Sequence, residues 1–297
     1  MARMIVEAAE ALLDQEIKVL DKGFVRLVDY LGGDQRIVQA ARVSYGSGTK
    51  SFRQDRGLIH YLLRHEHTSP FEQVILTFHT KMPIFVARQW VRHRTARLNE
   101  ISGRYSVMKD EFYIPLPDEV CVQSADNKQG SGDPLPFDAA QAIIRQFEED
   151  YKLLYSRYES LLEKDVAREL ARIVLPLSLY TEWYWKIDLH NLFHFLRLRM
   201  DAHAQKEIRV FAEAMAQCAQ AVAPLAYEAF EEHVLNSIRF SREECAALAA
   251  MLDGRSPVLE GRKAAEFEAK VLKLRSVQPS KDVEEPTLPA SVAGGAA

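Results

Sequence analysis

Residues 83–94, PIFVARQWVRHR, run from apolar and aromatic side chains straight into a block of cations. Such a segment constrains the fold at both ends. Its first half belongs in a core, and its second must reach a surface where cations stay solvated or meet anions. The spacing predicts a helix, with Pro83 in the first turn, where its missing N–H is not needed. Ile84, Ala87 and Val91 then face one side, while Arg88 and Arg92 stack at i, i+4 and repel each other. The next stretch, RHRTARLNEISGRY (92–105), holds four arginines and a histidine against one acid, in a chain whose formal net charge is −4. Two readings stand: carboxylates from another helix satisfy the patch, or it holds an anionic ligand.

The rest of the patch favours a ligand. Ser102, Gly103 and Arg104 offer a hydroxyl, a close backbone approach and a bidentate guanidinium, which is the chemistry of phosphate capture. Asn99 and Glu100, read as part of the same loop, suit the polar edges of a heterocycle. A bound nucleotide is the expected occupant. Ser102 as a nucleophile requires an adjacent base, and the local sequence supplies none but His93.

A slightly acidic chain is not a general nucleic-acid coat, and a local basic basin on it suits small anions. With 47% hydrophobic and 9% aromatic residues it can bury a real core. Cys121, Cys218 and Cys245 lie far apart with no CxxC pair, so neither a zinc knuckle nor a disulfide framework is indicated. Cys218 and Cys245 fall in Ala-rich helical segments, the usual setting of inert buried thiols. No secretory signal and no membrane-length apolar run is seen, so a cytoplasmic protein is expected.

Alternation predicts strands at 17–21 and 74–82, and three- and four-residue spacing predicts helices at 34–43, 54–65, 137–163, 188–200 and 203–222. Residues 1–16 read as an N-terminal helical extension, 17–235 as the main domain, and 236–275 as a C-terminal helical extension, with helices at 241–252 and 259–273. The tail 276–297 is rich in Pro, Ala, Gly and Ser and is expected to be disordered. Residues 124–136 read as one surface loop. A metal-dependent hydrolase is a rival reading, on His65-Glu66-His67 and the i, i+4 pair His190 and His194. A non-catalytic nucleotide-binding module is another.

Arg-His-Arg, seven residues, Ser, then Gly-Arg-Tyr resembles the signature of the flavin-dependent thymidylate synthases. The resemblance extends from about Ile17 to His233. It includes TSPFEQ (68–73), the 83–94 helix, EFYIP (111–115), ARELARIVLPL (167–177) and LRMDAHAQKEIR (198–209). It implies an α/β fold of the α+β type, a mixed sheet packed with helices. It also implies reductive methylation of dUMP to dTMP, with methylenetetrahydrofolate as carbon donor, FAD carrying the hydride and NADPH reducing the flavin. Family members are homotetramers with active sites shared between subunits, needing neither nucleic acid, membrane nor metal. With no credible cysteine nucleophile, direct hydride transfer without an enzyme adduct is expected.

Residue by residue, the resemblance gives Ser69, Arg92, His93, Arg94 and Glu100 to FAD, together with Asp188, Leu189, His190 and His194. It gives Gln89, Trp90, Val91, Arg92, Glu100, Ile101, Ser102, Gly103, Arg104, Arg172 and Arg199 to dUMP. Arg199 matches the arginine that favours ionisation at N3 of the uracil, and its alternative is a salt bridge to Asp201 or Glu207. Asp188-Leu189-His190 departs from the Asn-x-Arg that relatives often carry. An acid there repels an anionic cofactor unless it meets ribose hydroxyls or the adenine amino group, and His190 replaces an arginine only partly.

Overall fold

The computed structural model describes residues 4–43, 52–125 and 130–276. The chain divides into two compact units, Met1–Leu235 and Asn236–Ala297. The first is built on a five-stranded sheet of β1 (Glu16–Val19), β2 (Gly23–Leu31), β3 (Ile75–Pro83), β7 (Tyr180–Asp188) and β4 (Arg97–Glu100), in the order β1-β2-β3-β7-β4. Every pairing among these strands is antiparallel.

The two faces of the sheet differ in chemistry. Val25, Leu27, Leu76, Phe78, Trp183, Trp185 and Ile187 point inward and are buried. Three helices share their core: α4 (Ile84–Trp90), α7 (Leu189–Arg199) and α8 (Lys206–Val222). The opposite face carries Arg26, His79, Glu182, Tyr184 and Lys186 at the alternate positions of the same strands. There His79 stacks on Tyr184 at 4.8 Å between centroids and bonds Glu182 at 3.1 Å.

Around the sheet lie α2 (Asp34–Ala41), α3 (Phe52–Arg64) and α9 (Pro224–Phe230). The half-buried Asp34 carboxylate accepts the Leu225 and Ala226 amides at 2.9 Å each, capping α9 from a helix far away in sequence. Burial raises its pKa, and the two amide bonds oppose that rise. The helix α5 (Phe137–Glu163) and the short α6 (Arg168–Ala171) close a second, smaller core around Met108, Phe112, Tyr158 and Leu179.

Several expectations change. The N-terminal helix is a single turn, α1 (Glu7–Glu10), because Asp14 takes a positive φ of 59° and its amide bonds Leu27. Ala9 is buried in the main core, so this segment is part of the body. The stretch 124–136 is not one loop: β5 (Cys121–Gln123) and β6 (Ser131–Pro134) pair across it, with 126–129 outside the described residues. Pro83 ends β3 with ψ 146° and caps α4 rather than sitting in its first turn.

The second unit holds α10 (Arg242–Leu252) and α11 (Gly261–Ser276) around Ala247, Phe267 and Val271. Ser241 and Glu244 form a capping box on α10, and Lys270 bonds Glu244 at 2.7 Å. The expected disorder of the tail lies, from 277 onward, outside the described residues.

Candidate functional site

The helix α4 is shorter than its sequence pattern: it ends at Trp90, and 91–96 turn away from it. Its buried face is Val86, Ala87 and Trp90, whereas Val91, expected on the inner side, is exposed. The Trp90 indole is fully buried, stacked on Phe195 at 5.0 Å and edge-on to Trp183 and Trp185 at 5.4 Å each. Hydrophobic burial has committed the ring to the core, which leaves only the main chain of Trp90 for the expected nucleotide contact. The Leu189 side chain is likewise fully buried, at the start of α7.

Past Trp90 the chain surfaces. Arg88, Arg92, Arg94 and Arg97 are exposed, and none of them has an ion pair among the described residues. Arg172, at the start of a 3-10 turn, is equally unpaired. Only Arg104 behaves as the carboxylate alternative supposed, with its Nε 3.1 Å from Glu169 in an exposed pair. Gln89 bonds Gln205.

His93 sits between the two regimes. Its amide bonds the Trp90 carbonyl at 3.0 Å, and its ring lies edge-on to Phe195 at 4.9 Å. The Arg199 Nε donates to its Nε2 at 3.1 Å. Burial, followed by the charges of Arg199 and His194, lowers the His93 pKa to about 4, so the ring is neutral at pH 7. The acceptor role of Nε2 then places the proton on Nδ1. Among the described residues Arg199 forms no ion pair with Asp201 or Glu207, the alternative the sequence offered; Asp201 accepts from His203, and Glu207 from Tyr113.

Further along, Glu100 lies in β4 rather than in a loop, and its carboxylate accepts the Thr181 hydroxyl at 2.6 Å. The exposed Ile101 follows, with its amide bonded to Glu182. The Ser102 Oγ accepts the Arg104 amide at 3.3 Å, and its carbonyl accepts the amides of Tyr105 and Ser106. No described bond joins its hydroxyl to a base. Gly103 is buried, and a Cβ there would stand 2.9 Å from Met108 Sδ and 3.1 Å from Arg172 Cδ. A side chain there would have to displace two flexible neighbours, and the glycine's close approach brings Ser102 and Arg172 into one neighbourhood.

Ser69 is exposed before the 3-10 turn Phe71–Gln73. Asp188 is the N-cap of α7: it accepts the Asn191 amide at 2.9 Å and its side-chain nitrogen at 2.7 Å. The cap explains an acid at this point. His190 and His194 lie one turn apart on α7, and burial lowers the His194 pKa. Among the described residues no group of three or more His, Cys, Asp or Glu is arranged to hold a metal ion. Burial pushes the Cys218 thiol up to about 12, while Cys245 is exposed rather than buried. Sequence reasoning missed Thr181, Phe195 and Glu169, whose partners are 65 to 102 positions away and leave no local signal.

A family model described as thymidylate synthase complementing protein matches residues 26–225, and one described as thymidylate synthase ThyX C-terminal domain matches 238–277. A flavin-dependent thymidylate synthase of Treponema denticola is 58% identical over 266 residues, 89% of this chain and 100% of that protein. One from Treponema pallidum is 57% identical over 272 residues, 91% of this chain and 89% of that protein. A solved UMP/dUMP methylase of Streptomyces cacaoi, bound with 5-Br dUMP, aligns with TM-score 0.67 and 34% identity, over 74% of this chain and 99% of that one. With a match running from β2 through the arginine segment to α9, the chain belongs to the thymidylate synthase complementing protein family, that of the flavin-dependent thymidylate synthases.

Proposed function

We propose that this chain converts dUMP to dTMP with methylenetetrahydrofolate as carbon donor, FAD supplying the reducing hydride when bound, and NADPH as the source of electrons. The observation that carries the reading is the set of cations without an ion pair among the described residues, Arg92, Arg94, Arg97 and Arg172, with neutral His93 set among the first three and bonded to Arg199 of α7. Phosphate, pyrophosphate and folate carboxylates are the anions such a set accepts.

The donor set fits FAD: the exposed Ser69 hydroxyl and the guanidiniums of Arg92 and Arg94 are free of carboxylates and suit a pyrophosphate. His93, Glu100, His190 and His194 complete that side in this reading, with Asp188 and Leu189 contributing main chain only. Gln89, Ser102, Gly103, Arg104 and Arg172 hold dUMP, aided by the main chain of Trp90, Val91 and Ile101. Arg199 stays charged and stabilises negative charge developing on the uracil at N3. The raised Cys218 thiol and the absence of a described base at Ser102 favour a route without an enzyme nucleophile.

We further place this chemistry in a cytoplasmic homotetramer whose sites are shared, Ser102 and Arg104 of one subunit gripping a nucleotide that lies against another. The exposure of the unpaired arginines supports such sharing. No helix among the described residues is long and apolar enough to cross a membrane. The test is dTMP formation by purified protein, with omission of NADPH or FAD abolishing it. Protein without flavin absorbance that forms no dTMP under any combination overturns the reading. For sharing, inactive Arg94→Ala and Arg104→Ala proteins are dissociated and reassembled together. Partial return of activity supports shared sites, and mixed tetramers no better than the parents reject them.

A further inference from the structure

Arg199 closes α7, where a long side chain at a helix end has many rotamers to choose from. A half-buried guanidinium is commonly fixed by a carboxylate, which takes its terminal nitrogens in a fork and cancels its charge. Here the partner is different. The bond runs from Nε, the nitrogen nearest the stem, to an imidazole nitrogen. Among the described residues neither terminal NH2 group has a partner, and an uncharged acceptor leaves the positive charge intact.

The imidazole is itself held from two directions. Its main chain is tied to Trp90, whose ring is locked in the core. Its ring rests on Phe195, four residues before Arg199 on the same face of α7. The ring is therefore a wedge between a wall and a guanidinium that one helix presents together. His194, 6.1 Å away between centroids, is the other titratable group described at the ring.

We propose that His93 is a positioning residue for Arg199, accepting its Nε through Nε2 so that the guanidinium meets the substrate in a fixed orientation with undiminished charge. This rests on the dUMP-methylating reading above, and it ties the side chain given to the flavin half of the site to the one given to the nucleotide half. The neutrality of the ring at pH 7 agrees with an acceptor role.

Two substitutions separate the two ring nitrogens. In His93→Gln the amide oxygen stands near the place of Nε2, and in His93→Asn it stands near that of Nδ1. We expect His93→Asn to lose about 10-fold or more in kcat per bound flavin with KM for dUMP little changed, and His93→Gln to recover kcat per bound flavin to within about 3-fold of the parent. The double variant His93→Asn/Arg199→Lys is expected no slower than Arg199→Lys alone, because both changes break one arrangement. Equal losses in the Asn and Gln variants, or single losses that multiply in the double variant, overturn the proposal. The same cycle read in thermal midpoints of the flavin-free protein separates the two ideas. Coupled midpoints in a protein that makes no dTMP leave the contact standing and sink the functional reading. Uncoupled midpoints in a protein that does make dTMP sink the contact.

Discussion

Residues 84–90 and 91–104 are neighbours in the chain and opposites in their physics. The first segment, apart from the exposed Arg88, turns inward: Val86, Ala87 and Trp90 are buried, and Trp90 touches aromatic rings from β7, α7 and α8. The second leaves Arg92, Arg94 and Arg97 exposed and without an ion pair among the described residues. Apolar burial thus comes chiefly from the first half, while the second is held by the pairing of β4 with β7 and by the bond from Thr181 to Glu100. The second half can be cationic and open because the adjoining half is apolar and closed.

The largest expected consequence is for stability. Trp90→Ala removes a fully buried indole and should cost about 3–5 kcal/mol in denaturant unfolding. Trp90→Phe should cost much less, because the indole nitrogen has no partner to lose. An alanine variant within 1 kcal/mol of the parent, on the order of a surface change, would abolish the contrast. Next in size, Arg199→Lys keeps the charge and loses the planar fork, and turnover should fall by roughly two orders of magnitude in folded protein. Parent-like dTMP formation would take Arg199 out of the mechanism.

Smaller again, Ser102→Ala should weaken dUMP binding by about 1–2 kcal/mol while saturating dUMP preserves measurable turnover. Complete inactivity with intact dUMP and flavin binding would point back to a nucleophile. The smallest effect is on pH. His93 titrates near 4 in the fold and near its ordinary 6.5 when unfolded. The unfolded chain binds more protons between those values, so stability should rise with pH through that window and level off above it. In His93→Gln this part of the slope should vanish from thermal midpoints followed across pH 4–7. An unchanged slope would assign it to other groups.

The sequence made the helices legible where apolar spacing persists: 137–163, 188–200 and 203–222 match α5, α7 and α8 closely. The strands β2, β4 and β7 went unnamed. In β7, Thr181, Trp183, Trp185 and Ile187 face the core while Glu182, Tyr184 and Lys186 face away, but the aromatics on both faces blur that alternation. The site was legible as chemistry and not as geometry. An excess of arginines over acids is visible in a string, whereas the bond between Arg199 and His93 spans 106 positions. Trp90 shows the limit from the other side: a tryptophan beside a basic run suits a ligand or a core equally, and only its neighbours in space decide.

The pairing of β3 with β7 runs from Ile75 opposite Asp188 to Pro83 opposite Tyr180, and α4 and α7 start directly from the ends of those strands. Sequence separations of about a hundred residues must be closed before the sheet exists, which makes this a slow step of folding. During synthesis the arginine segment leaves the ribosome long before β7 and α7 are made. The cations of the site are thus displayed on an unfinished chain, and His93 meets Arg199 only after the sheet has zipped. Assembly of the chemistry is a late event in the life of each molecule, timed by the arrival of a single strand.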